Sequence, residues 1–133
     1  SDDLVWHQFQ ASALRTARSF ESTDEMDRFL RDPGVNLKHP ARGELTLQDI
    51  FTYPDLREVS QASKNSASAT RGEDFLGLCI ERARVLVTGV DRSGKTCLAK
   101  KLFRELQSAG LVPVWLDGHK IRSATPEAVH RLI

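Results

Sequence analysis

The octapeptide Gly89-Val90-Asp91-Arg92-Ser93-Gly94-Lys95-Thr96 constrains this chain more than any other stretch of it. Before it runs Ala83-Arg84-Val85-Leu86-Val87-Thr88, an apolar, β-branched segment of the kind that forms a buried parallel strand. After it, Leu98, Leu102, Leu106 and Ala109 recur at helical spacing, with Phe103 widening the stripe. Gly110 stands where a helix C-terminus favours a left-handed residue. Val112 to Leu116 supplies a second apolar strand, and Thr125-Pro126-Glu127 is a helix start with a capping hydroxyl, a proline at the first position and an acid near the positive end of the dipole. The expected class is therefore α/β, with a βαβ core forming part of a parallel sheet.

A strand that turns through glycines into a helix brings backbone N–H groups to one point, and that arrangement suits phosphate oxygens. Gly89 lets the chain leave the strand sharply, and Gly94 lets backbone amides approach an anion with no β-carbon in the way. Lys95 is then placed to reach the β- and γ-phosphates and is the candidate catalytic residue, while the Thr96 hydroxyl is the candidate ligand of a metal. The pattern is that of a P-loop, so the core expected is that of a P-loop NTPase. Its nucleotide-binding residues are Gly89, Val90, Asp91, Arg92, Ser93, Gly94, Lys95, Thr96 and Cys97, and its ligand is Mg2+ with ATP or GTP. A plain surface turn would use the two glycines for geometry alone and leaves Lys95-Thr96 without a reason. Asp91 would repel phosphate unless it points outward or pairs with Arg92, and Arg92 reads either as a solvated side chain or as a phosphate ligand. Cys97 reads as a small buried residue rather than a reactive thiol.

Upstream, Leu4, Val5, Phe9, Ala13, Leu14 and Ala17 predict an amphipathic helix over residues 3 to 20. Ser22 and Glu25 form a capping-box pair for a second helix carrying Met26, Phe29 and Leu30 and ending at Pro33-Gly34, which would complete a helical hairpin. Residues 33 to 44 read as a loop, and Leu45 to Phe51 as either a short strand or a helical turn. Residues 59 to 72, rich in Ser, Ala, Gln and Asn, read as a polar linker, and Phe75, Leu76, Leu78, Cys79 and Ile80 as a short apolar helix. The expected organisation is an N-terminal helical or adaptor segment over 1–58, the linker over 59–72 and the N-terminal part of a P-loop domain over 73–133.

The 133 residues hold nineteen basic and eighteen acidic side chains, a net charge of +1 that gives no field for nucleic acid. No apolar run approaches the roughly 18 residues that cross a bilayer, and the two cysteines sit in apolar surroundings, which fits a cytoplasmic, reducing setting. His7, His39, His119 and His130 are scattered and share no metal-ligand spacing with the cysteines. Trp6 and Trp115 read as packing residues, with no aromatic and basic stripe for single-stranded nucleic acid.

Two family resemblances follow from these residues. Leu45-Thr46-Leu47-Gln48-Asp49-Ile50-Phe51-Thr52-Tyr53-Pro54-Asp55-Leu56, followed by Val85 to Gly89, the phosphate loop and Val112 to Ile121, resembles bacterial STAND-type NTPases related to the NACHT group over about residues 35 to 133. The resemblance implies an effector domain before the NTPase, a sensor region after it, oligomerisation on activation and a role in signalling or defence against phage. It would make this sequence a piece of a longer protein that binds nucleotide without efficient hydrolysis, since no later strand ending in acids is present to position water. In a non-enzymatic variant of this reading, residues 1 to 58 dock an effector. The second resemblance is to adenylylsulphate kinases, carried by Gly89 to Thr96, Leu98-Ala99, Gly110 and Leu116-Asp117-Gly118-His119-Lys120-Ile121-Arg122. It implies phosphorylation of a small nucleotide, with Asp117 and Arg122 touching that substrate. His119 departs from the pattern, standing where that family has an aspartate.

Overall fold

A computed structural model describes residues 22–59, 69–82, 84–123 and 125–131. The helix expected over 3 to 20, and with it the hairpin, lies outside the described residues, as does the middle of the polar stretch, 60–68.

Helix α1, Asp24–Arg31, is started by Thr23, whose Oγ1 accepts from the Met26 amide at 3.2 Å. The capping-box reading is corrected by one residue, because Thr23 and not Ser22 occupies the extended cap position. Three acids, Asp24, Glu25 and Asp27, then fall in the first turn and Arg28 and Arg31 in the last, each favoured by the helix dipole. The helix stops because Asp32 precedes Pro33 and is extended, and Gly34 turns the chain at φ 74° with its amide on Asp32 Oδ1. Within the expected loop, β1, Lys38–His39, pairs antiparallel with β2, Gly43–Glu44.

The undecided segment after it resolves as a helical turn, α2, Leu47–Ile50. Asp49 Oδ2 accepts from both the Thr46 amide and the Thr46 hydroxyl, at 2.8 and 2.7 Å. The Thr46 hydroxyl foremost, then its amide, hold the Asp49 carboxyl below the usual carboxylate value, with Arg42 at 3.9 Å adding to the effect. Strand β3, Leu56–Arg57, pairs antiparallel with β4, Ala69–Thr70, so the described ends of the polar stretch are held together. A 3-10 turn, Gly72–Asp74, leads into α3, Phe75–Glu81, the short apolar helix the sequence indicates. Gly72 is buried so closely that a β-carbon there would lie 2.5 Å from the Pro54 carbonyl oxygen and 2.8 Å from Tyr53 Cβ.

Helix α4, Lys95–Ser108, follows the glycine loop. It ends in a Schellman arrangement, in which the Gly110 amide donates to Gln107 O and the Leu111 amide to Leu106 O, with Gly110 at φ 81°. Helix α5, Pro126–His130, starts as the sequence indicates, with the Thr125 hydroxyl accepting from the Ala128 amide. The chain divides into a unit spanning Glu21–Glu105 and a second that holds Leu106–Ile133. The buried apolar side chains of the first are Leu30, Leu47, Phe75, Leu98 and Phe103.

The parallel sheet expected of the βαβ reading does not form among the described residues. Both ladders are antiparallel and two residues long. The expected strands, 84–88 and 112–116, enter neither ladder, and Leu86 is 88 % and Val114 54 % exposed. An apolar, β-branched run specifies a side-chain surface, but a strand also needs a second backbone to receive its N–H and C=O groups. Neither run has that partner here. The architecture that stands is a mixture of helices with short antiparallel ladders.

Candidate phosphate-binding loop

Residues 89 to 94 make a tight turn whose two glycines serve different purposes. A β-carbon at Gly89 would lie 2.8 Å from Ser93 Oγ, so the obstacle there is space. Gly94 has nothing near its missing β-carbon but sits at φ 85°, so the obstacle there is backbone conformation. The Ser93 amide closes the turn on Val90 O at 3.3 Å. Helical bonding begins with the Leu98 amide on Gly94 O at 2.9 Å, so the amides of Lys95, Thr96 and Cys97 belong to the first turn, where a helix supplies no acceptor.

The Lys95 side chain folds back over the turn. Its Nζ donates to Gly89 O at 2.9 Å, Val90 O at 2.7 Å and Ser93 Oγ at 3.3 Å, one acceptor for each ammonium proton. Asp91 Oδ1 accepts from the Arg92 amide at 3.0 Å, so its carboxylate is engaged by the loop's own backbone. Arg92 itself is left-handed at φ 58°, the one such non-glycine among the described residues. Thr96 is exposed, Cys97 is a half-buried free thiol, and Val90 is 78 % exposed. The loop thus assembles Gly89 to Cys97 in one turn, with an ammonium, first-turn amides and a hydroxyl at the amino end of a 14-residue helix.

This donor set fits an anion. It holds a cation and unpaired helix-end amides, and a β-carbon at residue 89 would displace the Ser93 hydroxyl. For magnesium, Thr96 offers one hydroxyl. Among the described residues, no three His, Cys, Asp or Glu side chains gather to hold a metal, and Thr96 is the loop residue that would help to hold Mg2+.

Further along α4, a second set of contacts ties the helix to the residues before the loop. Lys100, only 5 % exposed, donates from Nζ to Asp32 O at 2.8 Å and lies 4.2 Å from the Phe29 ring centroid. Arg104 pairs with Asp27 at 2.9 Å. The Tyr53 hydroxyl donates a short hydrogen bond to Glu105, which Lys101 approaches at 3.5 Å. That bond foremost, with burial and the Glu105 charge, pushes the Tyr53 hydroxyl up to about 12. Sequence reasoning missed this set. Its partners are separated by 52 residues in the Tyr53–Glu105 pair and 68 in the Lys100–Asp32 pair, and no local pattern signals either. Asp117, implied by resemblance to touch substrate, belongs to the other unit, where its Oδ1 accepts from the His119 amide at 3.0 Å and caps the turn Gly118–Lys120. Arg122 is exposed in that same unit.

Residues 81–128 match the family model described as adenylylsulphate kinase. The match covers about a third of the chain and contains the loop, α4 and Asp117 to Arg122. It is a similarity of that segment, and it supports a nucleotide-binding P-loop of the phosphotransferase kind. No curated protein and no solved structure matches the chain. Of the two resemblances, the match favours the kinase; the switch NTPase and its defence role gain no support from it. Among the described residues, no helix is long and apolar enough to cross a membrane.

Proposed function

We propose that Gly89 to Cys97 bind the phosphates of ATP, or of GTP, with Mg2+, and that the surrounding segment serves phosphoryl transfer to a small anionic nucleotide of the adenylylsulphate type. The observation that carries this reading is the Lys95 ammonium held across the Gly89–Ser93 turn at the amino end of α4. The family match over residues 81–128 supports the choice of a phosphotransferase over a switch NTPase. In this reading Lys95 exchanges its carbonyl partners for phosphate oxygens, the first-turn amides hold the same oxygens, and Thr96 fixes the metal. Bound Mg2+ would supply charge neutralisation on the phosphates. Asp117 and Arg122 are the candidate contacts to the acceptor nucleotide.

Calorimetric titration tests the assignment. Mg-ATP is expected to bind the wild-type chain, with Lys95→Ala weakening binding at least 100-fold, or about 3 kcal/mol. Adenylylsulphate is expected to bind as well, and Arg122→Ala to weaken it while sparing Mg-ATP. Binding of Mg-ATP without any response to adenylylsulphate would return the switch NTPase to first place. No binding to a folded sample would reduce the loop to a turn.

A further inference from the structure

Arg92 occupies a left-handed backbone position, φ 58°, that glycine adopts freely and a residue with a β-carbon adopts only at a cost. The Asp91 carboxylate, accepting from the Arg92 amide, helps to hold it there. No contact of its side chain offsets that cost. Arg92 is exposed, and among the described residues its side chain makes no hydrogen bond or ion pair. Strain of this kind, unrecovered by side-chain contacts, clusters at active sites, ligand clamps and switch regions.

Lys95 shows which ligand. All three of its ammonium protons are committed to Gly89 O, Val90 O and Ser93 Oγ. The phosphate loop therefore presents one uncommitted cation, and it is Arg92, whose planar guanidinium matches a phosphate through two parallel hydrogen bonds. We infer that Arg92 is the loop's capture cation, engaging the polyphosphate of an incoming nucleoside triphosphate before Lys95 leaves its loop acceptors. The inference rests on the phosphate-loop reading and adds an order of events to it. Arg92 governs how fast nucleotide is taken up, and Lys95 governs how long it stays.

The two roles separate in one experiment on the full chain, combining stopped-flow association of a fluorescent ATP analogue with Mg2+ and thermal unfolding without nucleotide. Arg92→Gly is expected to raise Tm by about 3 °C as the strain is relieved. The same change is expected to slow association about tenfold at low salt, the deficit shrinking as salt screens the charge. Arg92→Lys should keep most of the association rate and show no rise in Tm. Lys95→Ala should instead leave association near normal and speed dissociation. An Arg92→Gly chain that gains stability and takes up nucleotide at the wild-type rate would overturn the capture role while leaving the phosphate loop standing. A folded wild-type chain that binds no nucleotide would overturn both.

Discussion

Helix α4 carries two lysines, Lys95 and Lys100, on which the same ammonium is put to opposite uses. At the first helical position, Lys95 closes over a turn at the surface and donates to acceptors that lie within six residues of it. Less than two turns later, Lys100 is drawn to 5 % exposure and reaches the carbonyl that ends α1 and the face of Phe29, both remote in sequence. The first lysine's partners are ones that a phosphate could replace without disturbing anything else. Those of the second hold two helices together, and the negative end of α1 stabilises the buried cation. In the proposed reading, position along the helix, rather than residue type, separates a phosphate ligand from a strut.

The sharpest way to break this comparison is to empty the buried face of α4 that Lys100 shares. Phe103, 6 % exposed and one turn beyond Lys100, should cost about 3–5 kcal/mol of unfolding free energy as Phe103→Ala in urea denaturation. A loss near zero would mean that α4 does not depend on this face. Exchanging the lysines themselves is the more direct comparison. Lys100→Ala should destabilise by about 2 kcal/mol through its buried stem and its bond to Asp32 O. Lys95→Ala, whose lost acceptors return to water, should change stability by no more than about 0.5 kcal/mol. Equal effects at the two sites would erase the distinction between them.

The smallest effect tests the neighbouring grip. Tyr53→Phe should cost about 1 kcal/mol at neutral pH by removing the bond to Glu105. Because the Tyr53 hydroxyl is raised from 10.0 to about 12 in the fold, its share of stability is complete below about pH 10 and is lost as pH climbs through about 12. Thermal unfolding between pH 9 and 12 should therefore fall more steeply for the wild type than for Tyr53→Phe. Parallel curves would remove Tyr53 from the account.

What the sequence displayed and what it hid divide along a physical line. The extent of α4, the Gly110 stop, the Thr125-Pro126 start of α5 and the apolar helix at Phe75 were all legible, since each depends on residues within a turn or two of each other. So was the loop. Its glycines, lysine and threonine are contiguous, and the structure brings them together without help from elsewhere. The strands failed for the complementary reason. Val85 to Val87 and Val112 to Leu116 show the right side chains, but pairing is a property of two segments, and among the described residues neither run has its second one. The ladders that do form, Lys38–His39 with Gly43–Glu44 and Leu56–Arg57 with Ala69–Thr70, are two residues long, too short for any alternation to be read. Lys100 was hidden by convention, because a lysine within a helical repeat ordinarily faces water.

The short ladder of Leu56–Arg57 with Ala69–Thr70 brings residues 57 and 69 side by side. The two ends of the intervening stretch therefore meet at one point, whatever its length. Lengthening a stretch whose ends are closed in this way costs little, about 0.6 kcal/mol for each doubling. The span between Arg57 and Ala69 is thus a natural graft site, where a tag, a reporter or a whole folded module could be spliced in while the ladder that brackets it is kept.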